Sequence, residues 1–351
     1  MLYFIILILL LLLYSFSRSR TGFRKVTIFV VVSMVLLAGF RDVSVGRDTM
    51  SYLTMYEAKW LSGRIEPLFI VLIHICRSLG LSYHSFLLIV ACLIYIPLYV
   101  FIRKWSCNLC LSMLVYMTFS VFFFANSFNV LRNAVSASFV LLCLSSLFEY
   151  NKKKAIVFGV IACGFHYSAI IALLIIYGSQ IIRGIKPTFA LILLAVSIVV
   201  GLNSSFHENL FASILQNMSF LTGDAVDNYS KYLSDITESE LNGNGIIMLI
   251  VPLSLISSLS FFCDECDKRF RIILFIGTIF GNLFITVLYT YRITVYLTLT
   301  SLVVIPQLCK SNVKMIRVLS SGIILILAVY FIYNLVYNKC PNLLPYKFFF
   351  E

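Results

Sequence analysis

Four arginines, two carboxylates and a histidine stand where an apolar chain has least reason to put charge: Arg41, Arg47, Arg132 and Arg292, with Asp48, Glu66 and His166. The stretch GFRDVSVGRDTMSY (39–52) packs Arg41, Asp42, Arg47 and Asp48 into eight residues directly after an apolar run. Arg132 opens another run, in ANSFNVLRNAVSAS, and Arg292 interrupts LYTYRITVY. A guanidinium keeps its charge at any working pH and offers a planar fork that grips phosphate through two parallel hydrogen bonds. Ionisable groups in or beside a membrane are costly, and they commonly face a cavity or a ligand. Several arginines converging near a membrane surface suit a lipid-linked pyrophosphate. Glycosyl transfer from such a donor needs positive groups to stabilise the departing pyrophosphate. It also needs a carboxylate or imidazole to take the proton of the attacking hydroxyl. Asp48, Glu66 and His166 are the candidates for that second task. For any one arginine, snorkelling to headgroups is an equally good account, and Arg41 with Asp42 could simply cap a helix; for the whole set these accounts are weaker.

The elements that must position these groups follow from composition. The 351-residue chain is 61% hydrophobic and 12% charged, far more apolar than a soluble domain of that length. Its apolar runs of about 15–22 residues suffice to cross a hydrocarbon core of about 30 Å, and they must be helices because lipid satisfies no backbone group. The ~10-residue alternating segments of a β-barrel do not occur. The first run is followed by SRSRTGFRK rather than a small-residue cleavage site, which reads as a retained anchor. The net charge of +12 does not point to nucleic acid, since the basic residues form short clusters between apolar runs, the pattern of cytoplasmic loops.

Ten spans are expected, at 2–17, 26–40, 86–102, 109–125, 133–149, 188–202, 246–262, 272–290, 293–309 and 318–338. If the clusters at Arg18–Lys25, Arg103–Lys104, Lys152–Lys154, Arg183–Lys186, Lys268–Arg271 and Lys310–Arg317 are all cytoplasmic, both termini lie outside. Two consequences follow. Residues 66–80 are no full span but a re-entrant or interfacial helix on the outer face, within an extracytoplasmic stretch at 41–85. Residues 155–182 go out and return as a hairpin turning near GFHYS (164–168); the rival is one long helix with His166 at its centre. The segment 203–245 carries six acidic residues against Lys231 and reads as a large outer loop. The pairs Cys107/Cys110 and Cys263/Cys266 have CxxC spacing, better taken as chance than as one zinc site. No metal or cofactor is indicated: Asp42 and Asp48 each have an arginine beside them, which argues against a cation site. His74 and His84 read as interfacial, and His207 as solvated.

These residues resemble the EpsG-like group of bacterial polysaccharide polymerases, which includes many Wzy O-antigen polymerases. The stretch at 41–52 resembles that family's R-x(4)-G-x-D-x(3)-Y pattern through Arg41, Gly46, Asp48 and Tyr52. Glu66-Pro67 resembles its E-P segment, and Asn129-x-x-Arg132-Asn133 its N-x-x-R-Q segment, with Asn133 replacing the commoner glutamine. Phe165-His166-Tyr167-Ser168 resembles F-H-x-S, and Tyr291-Arg292 its late arginine. The resemblance implies a single all-α polytopic integral membrane domain of GT-C-like glycosyltransferase architecture, with about 10–13 transmembrane helices. It implies a periplasm-facing site in the bacterial inner membrane that joins repeat units carried on undecaprenyl pyrophosphate, in lipopolysaccharide-type biosynthesis. It also implies a chain-length regulator as partner and no nucleotide-sugar donor. The rival functions are a flippase for the same lipid-linked sugar, disfavoured because the span centres are nearly uncharged, and an O-antigen ligase, which shares the arginine chemistry and differs in acceptor.

Overall fold

A computed structural model describes residues 2–15, 20–60, 65–119, 123–182, 184–203, 243–284, 291–337 and 343–350. The described residues form helices α1 (Leu2–Ser15), α2 (Arg20–Gly39), α3 (Thr49–Glu57), α4 (Pro67–Ser78), α5 (Tyr83–Trp105), α6 (Leu109–Thr118), α7 (Asn126–Asn129) and α8 (Leu131–Phe148). They continue with α9 (Lys152–Phe165), α10 (Ala169–Ser179), α11 (Pro187–Gly201), α12 (Gly243–Ser260), α13 (Lys268–Leu283), α14 (Tyr291–Thr298), α15 (Ser301–Leu308) and α16 (Lys314–Val336). Local chemistry sets several starts. Ser82, Asn108, Asn151 and Asp267 accept a backbone N–H of the first turn of α5, α6, α9 and α13, the usual N-cap function of these side chains. Pro67 and Pro187 occupy the first turn of α4 and α11, where a missing N–H costs nothing.

Among the described residues every expected span overlaps a helix, and α5, α8 and α16 are each long and apolar enough to cross a membrane. Several others are shorter apolar helices, and two expected spans are broken. In the run at 109–125 helix α6 ends at Thr118, and residues 120–122 lie outside the described residues. The run at 293–309 is split into α14 and α15 around Leu299 and Thr300. Hydropathy does not register the second break because hydroxyls make it. Thr298 Oγ1 donates to Thr294 O at 2.9 Å and Thr300 Oγ1 to Leu297 O at 2.6 Å, while Ser112 of α6 donates to Leu302 O at 2.6 Å. Thr298, Thr300 and Ser301 are fully buried, and irregular backbone at membrane depth is tolerated where protein encloses it.

The bundle has two chemically distinct ends. At one, Trp105 closing α5 packs edge-on against Phe148 closing α8 and Phe270 opening α13, at 5.9 and 5.3 Å. Arg269 lies over the Phe148 ring at 4.5 Å, and Lys310 Nζ donates to Cys107 O at 2.7 Å. This is the basic end. At the other, the chain leaving α2 meets the C-terminal tail: Asp42 N donates to Lys347 O at 3.0 Å and Phe349 N to Phe40 O at 3.1 Å. The Tyr3 ring reaches Tyr346 there, at 6.1 Å.

Helix α4 has 12 residues, about 18 Å of rise, too short for a hydrocarbon core of about 30 Å. Both its flanks return to the end opposite the basic one. Arg77 donates to Tyr56 O and Ala58 O at 2.5 and 2.6 Å, and Tyr56 Oη donates to Leu81 O at 2.7 Å. Residues 155–182 form the hairpin and not the single long helix: α9 and α10 run antiparallel, a Cβ on Gly159 would meet Leu173 at 3.4 Å, and His166 stands at the turn as the C-cap of α9. The acidic segment expected at 203–245 lies almost wholly outside the described residues.

Candidate active site

The site is assembled at the end of the bundle opposite the basic clusters, from helix termini. Glu66 is the N-cap of α4 and only 3% exposed. It is held there because α4 lies against the last turn of α9. A Cβ on Gly164 would stand 2.5 Å from Leu68 Cγ, so glycine at 164 lets α4 come close, and two residues before Leu68 the Glu66 carboxylate meets His166. One carboxylate oxygen pairs with His166 Nδ1 and the other with Arg132 Nη1, which is offered from the first turn of α8. Both oxygens are therefore engaged, by an imidazole on one side and a guanidinium on the other. Burial alone would raise the Glu66 carboxyl, but the hydrogen bond with His166 and the charge of Arg132 outweigh it and leave its pKa below the ordinary value.

A pH dependence follows from that direction. A depressed carboxylate contributes stability that is fully present above its unfolded pKa of about 4.3 and is lost as pH falls through the lower folded value. Glu66→Gln should therefore destabilise the protein near neutrality, with the gap to wild type closing as pH drops below about 4.3. Thermal unfolding of both proteins across that range measures it, and a gap independent of pH would refute the ionised pairing.

Arg132 also donates to the hydroxyl of Tyr52, from α3. Asp48, the residue preceding α3, sits among the charges of Arg292, Arg47 and Arg132. Burial nevertheless dominates and pushes its carboxyl above the ordinary range. Arg47 is exposed, and its backbone N–H donates to Asn129 Oδ1 at 2.6 Å, which ties the 39–52 stretch to the approach to α8. The tie depends on Gly46, whose φ is +96° and where a Cβ would meet Thr49 Oγ1 at 2.7 Å and Asn129 Oδ1 at 3.2 Å. Gly46→Ala is expected to cost about 1–3 kcal/mol and to displace Arg47. Unfolding measurements and the activity of the folded fraction would both fall, and an unchanged variant would show that the turn does not position the site.

Sequence reasoning singled out Asp48, Glu66, Arg47, Arg132, His166 and Arg292, and these groups are gathered into one constellation. Arg41 stands apart from them. It is 1% exposed, Nη1 donates to Ala38 O at 2.5 Å, Nη2 to Phe128 O at 3.1 Å, Nε to Thr49 Oγ1 at 3.3 Å, and the guanidinium covers the Phe128 ring at 5.2 Å. Its fork is filled by protein. Asp42 is engaged locally, accepting from Ser44 N and Oγ at 2.9 and 2.7 Å. Those hydrogen bonds set its pKa low.

Sequence reasoning missed a second layer centred on Tyr296, which is fully buried. Its hydroxyl accepts from Asn133 Nδ2 at 2.8 Å and lies 3.1 Å from Ser168 Oγ and 3.3 Å from Ser136 Oγ. Asn133 Nδ2 also donates to Arg292 O at 3.2 Å. This layer locks α14 to α8 and to the turn that carries His166. Tyr296 follows Arg292 by four residues, hence one helix face, but that spacing alone does not separate it from a packing aromatic. Among the described residues no group of three or more His, Cys, Asp or Glu could hold a metal ion, so the two CxxC pairs do not converge.

No curated protein and no solved structure matches the chain. The family comparison does: residues 24–348 match the EpsG family, a stretch that includes every residue of the constellation. The chain belongs to the EpsG family, and with its apolar helices it is a membrane protein of polysaccharide biosynthesis.

Proposed function

We propose that the chain is a glycosyltransferase that polymerises oligosaccharide repeat units carried on undecaprenyl pyrophosphate into O-antigen or capsule-type polysaccharide, at the periplasmic face of the inner membrane, on a GT-C-like scaffold. The observation that carries this reading is the Arg132–Glu66–His166 grouping, with Arg47, Arg292 and Asp48 around it. With Nδ1–H donated to Glu66, the imidazole keeps Nε2 as its proton acceptor. Nε2 takes the proton of the attacking sugar hydroxyl as that oxygen bonds to the anomeric carbon of the donor. The bond from the anomeric carbon to the pyrophosphate oxygen breaks, and its electron pair leaves on the pyrophosphate. Arg47, Arg132 and Arg292 stabilise the charge that develops there. Glu66 orients the imidazole and stabilises the imidazolium, the part played by the carboxylate of hydrolytic triads. Glu66 is thus a positioning residue, while the charge of Asp48 offsets the mutual repulsion of the arginines gathered around it. The separation of this constellation from the basic clusters supports an outward-facing site by the positive-inside rule. The chain-length regulator implied by the family resemblance belongs to the same proposal.

His166→Gln tests the base. Loss of a positioned general base lowers turnover about 10²–10⁴-fold, so purified variant and wild type, given lipid-linked repeat units, should differ by that factor in polymer formed. Glu66→Gln should lower kcat with KM nearly unchanged. Accumulation of single units on the carrier marks a failed polymerase; a failed ligase would accumulate long chains. Wild-type turnover by His166→Gln would overturn the assignment of the base.

A further inference from the structure

The basic end contains a cavity that the polymerase reading does not use. It has a volume of about 1190 Å³ and is lined by Arg24, Arg103, Lys310 and Arg317 above and by apolar and small residues below, with no acidic side chain among the lining. The four cations come from α2, from α5, from the turn after α15 and from α16, so tertiary structure and not local sequence brings them together. Two other cations at this end have carboxylate partners: Lys104 pairs with Glu149, and Arg269 with Asp267. Among the described residues the four lining cations have none. Lys310 commits one proton to Cys107 O and Arg317 one N–H to Ser311 O at 3.4 Å, which leaves most of their three and five donors available.

The apolar part has a direction. Arg317, Val318, Ser321, Gly322 and Leu325 of α16 line the cavity. Positions 318, 321, 322 and 325 form one helix face descending roughly 10 Å from the charged rim. Val318 and Leu325 remain 58% and 46% exposed, and a Cβ on Gly322 would meet nothing within 4 Å. A cationic rim over an apolar groove open on the bundle's surface matches a molecule with an anionic phosphodiester head and an acyl tail.

We propose that this cavity binds one anionic diacyl phospholipid, its phosphodiester held by Arg103, Lys310, Arg317 and Arg24 and one acyl chain lying along the 318–325 face of α16. This site is separate from the polymerisation site and stands at the opposite end of the bundle. Basic pockets between membrane helices on the cytoplasmic side have the chemistry to hold such headgroups.

The test uses the full-length protein in mild detergent, titrated with dioleoyl-phosphatidylglycerol, with dioleoyl-phosphatidylcholine and with inorganic phosphate, and read by thermal unfolding and by native mass spectrometry of retained lipid. Phosphatidylglycerol should bind and raise the unfolding temperature of wild type, while the other two should not. Arg103→Gln/Arg317→Gln should weaken phosphatidylglycerol binding about thirtyfold, from roughly fivefold per cation removed at a membrane surface. Gly322→Trp places an indole in the groove from a position where a Cβ meets nothing within 4 Å, and it alters no charge; it should fold and lose the retained lipid. Equal binding of phosphatidylcholine and phosphatidylglycerol would overturn the proposal, as would competition by phosphate alone or wild-type affinity in both variants.

Discussion

Arg292→Ala and Arg132→Ala are each expected to abolish long-chain polysaccharide while single units accumulate and the protein remains in the membrane. The two arginines occupy the first turns of α14 and α8, and the charges of both act on the same carboxylate, Asp48. Removing one preorganised donor from a developing anion costs about 10²–10³ in turnover. Polymerisation compounds that loss at every addition, so ladders disappear rather than shorten. The two variants differ in their side effects. Arg132→Ala also strips one carboxylate oxygen of the buried Glu66 of its partner, leaving an uncompensated charge. The double variant Arg132→Ala/Glu66→Gln, compared with Glu66→Gln alone, separates these roles: if Arg132 mattered only as the partner of Glu66, the two would match in stability and activity, whereas a pyrophosphate-binding role lets stability match while the double variant turns over far more slowly. Arg132→Lys keeps the charge but loses the fork, and should recover only part of the rate. Wild-type ladders from both alanine variants would refute the assignment.

How far the sequence could be read depended on whether a property was local. Segment lengths, basic clusters and the turn at His166 are local, and the helices and the α9–α10 hairpin are where hydropathy and the positive-inside rule put them. The convergence of Asp48, Glu66, Arg132, His166 and Arg292 could be inferred because each charge sits at a helix terminus on the same side of the count, and helix termini on one side must share one end of a bundle. The break between α14 and α15 escaped because threonine and serine do not lower hydropathy enough to mark a helix end, although their hydroxyls bond to the backbone that the break exposes. Tyr296 escaped for the opposite reason. An aromatic residue in an apolar helix is usually packing, and only its contacts with Asn133 and Ser168 give its hydroxyl a task.

Arg41 is the case in which burial rather than residue type sets the expected role, and it carries the largest expected effect on stability. Six residues from Arg47 and matching the same family pattern, it looks like another phosphate ligand. What separates them is burial: Arg47 is exposed and Arg41 fully enclosed. Arg41→Ala would leave Ala38 O, Phe128 O and the Thr49 hydroxyl short of a donor and empty the space over the Phe128 ring. Each buried acceptor left without a donor costs about 1–3 kcal/mol, so three of them amount to a large part of a total of about 5–15 kcal/mol. The expected outcome is a lowered unfolding temperature and a reduced level of folded protein in the membrane, with activity per folded molecule within a few-fold of wild type. Arg41→Lys should not rescue it, because one ammonium cannot reach three acceptors set for a planar fork. Arg292→Ala should behave in the reverse way, with stability kept and turnover lost. The pair of variants therefore separates the arginine that builds the site from one that works in it. If Arg41→Ala kept wild-type stability and lost turnover, Arg41 would return to the set that binds pyrophosphate, and its neighbours would have to move to open the fork.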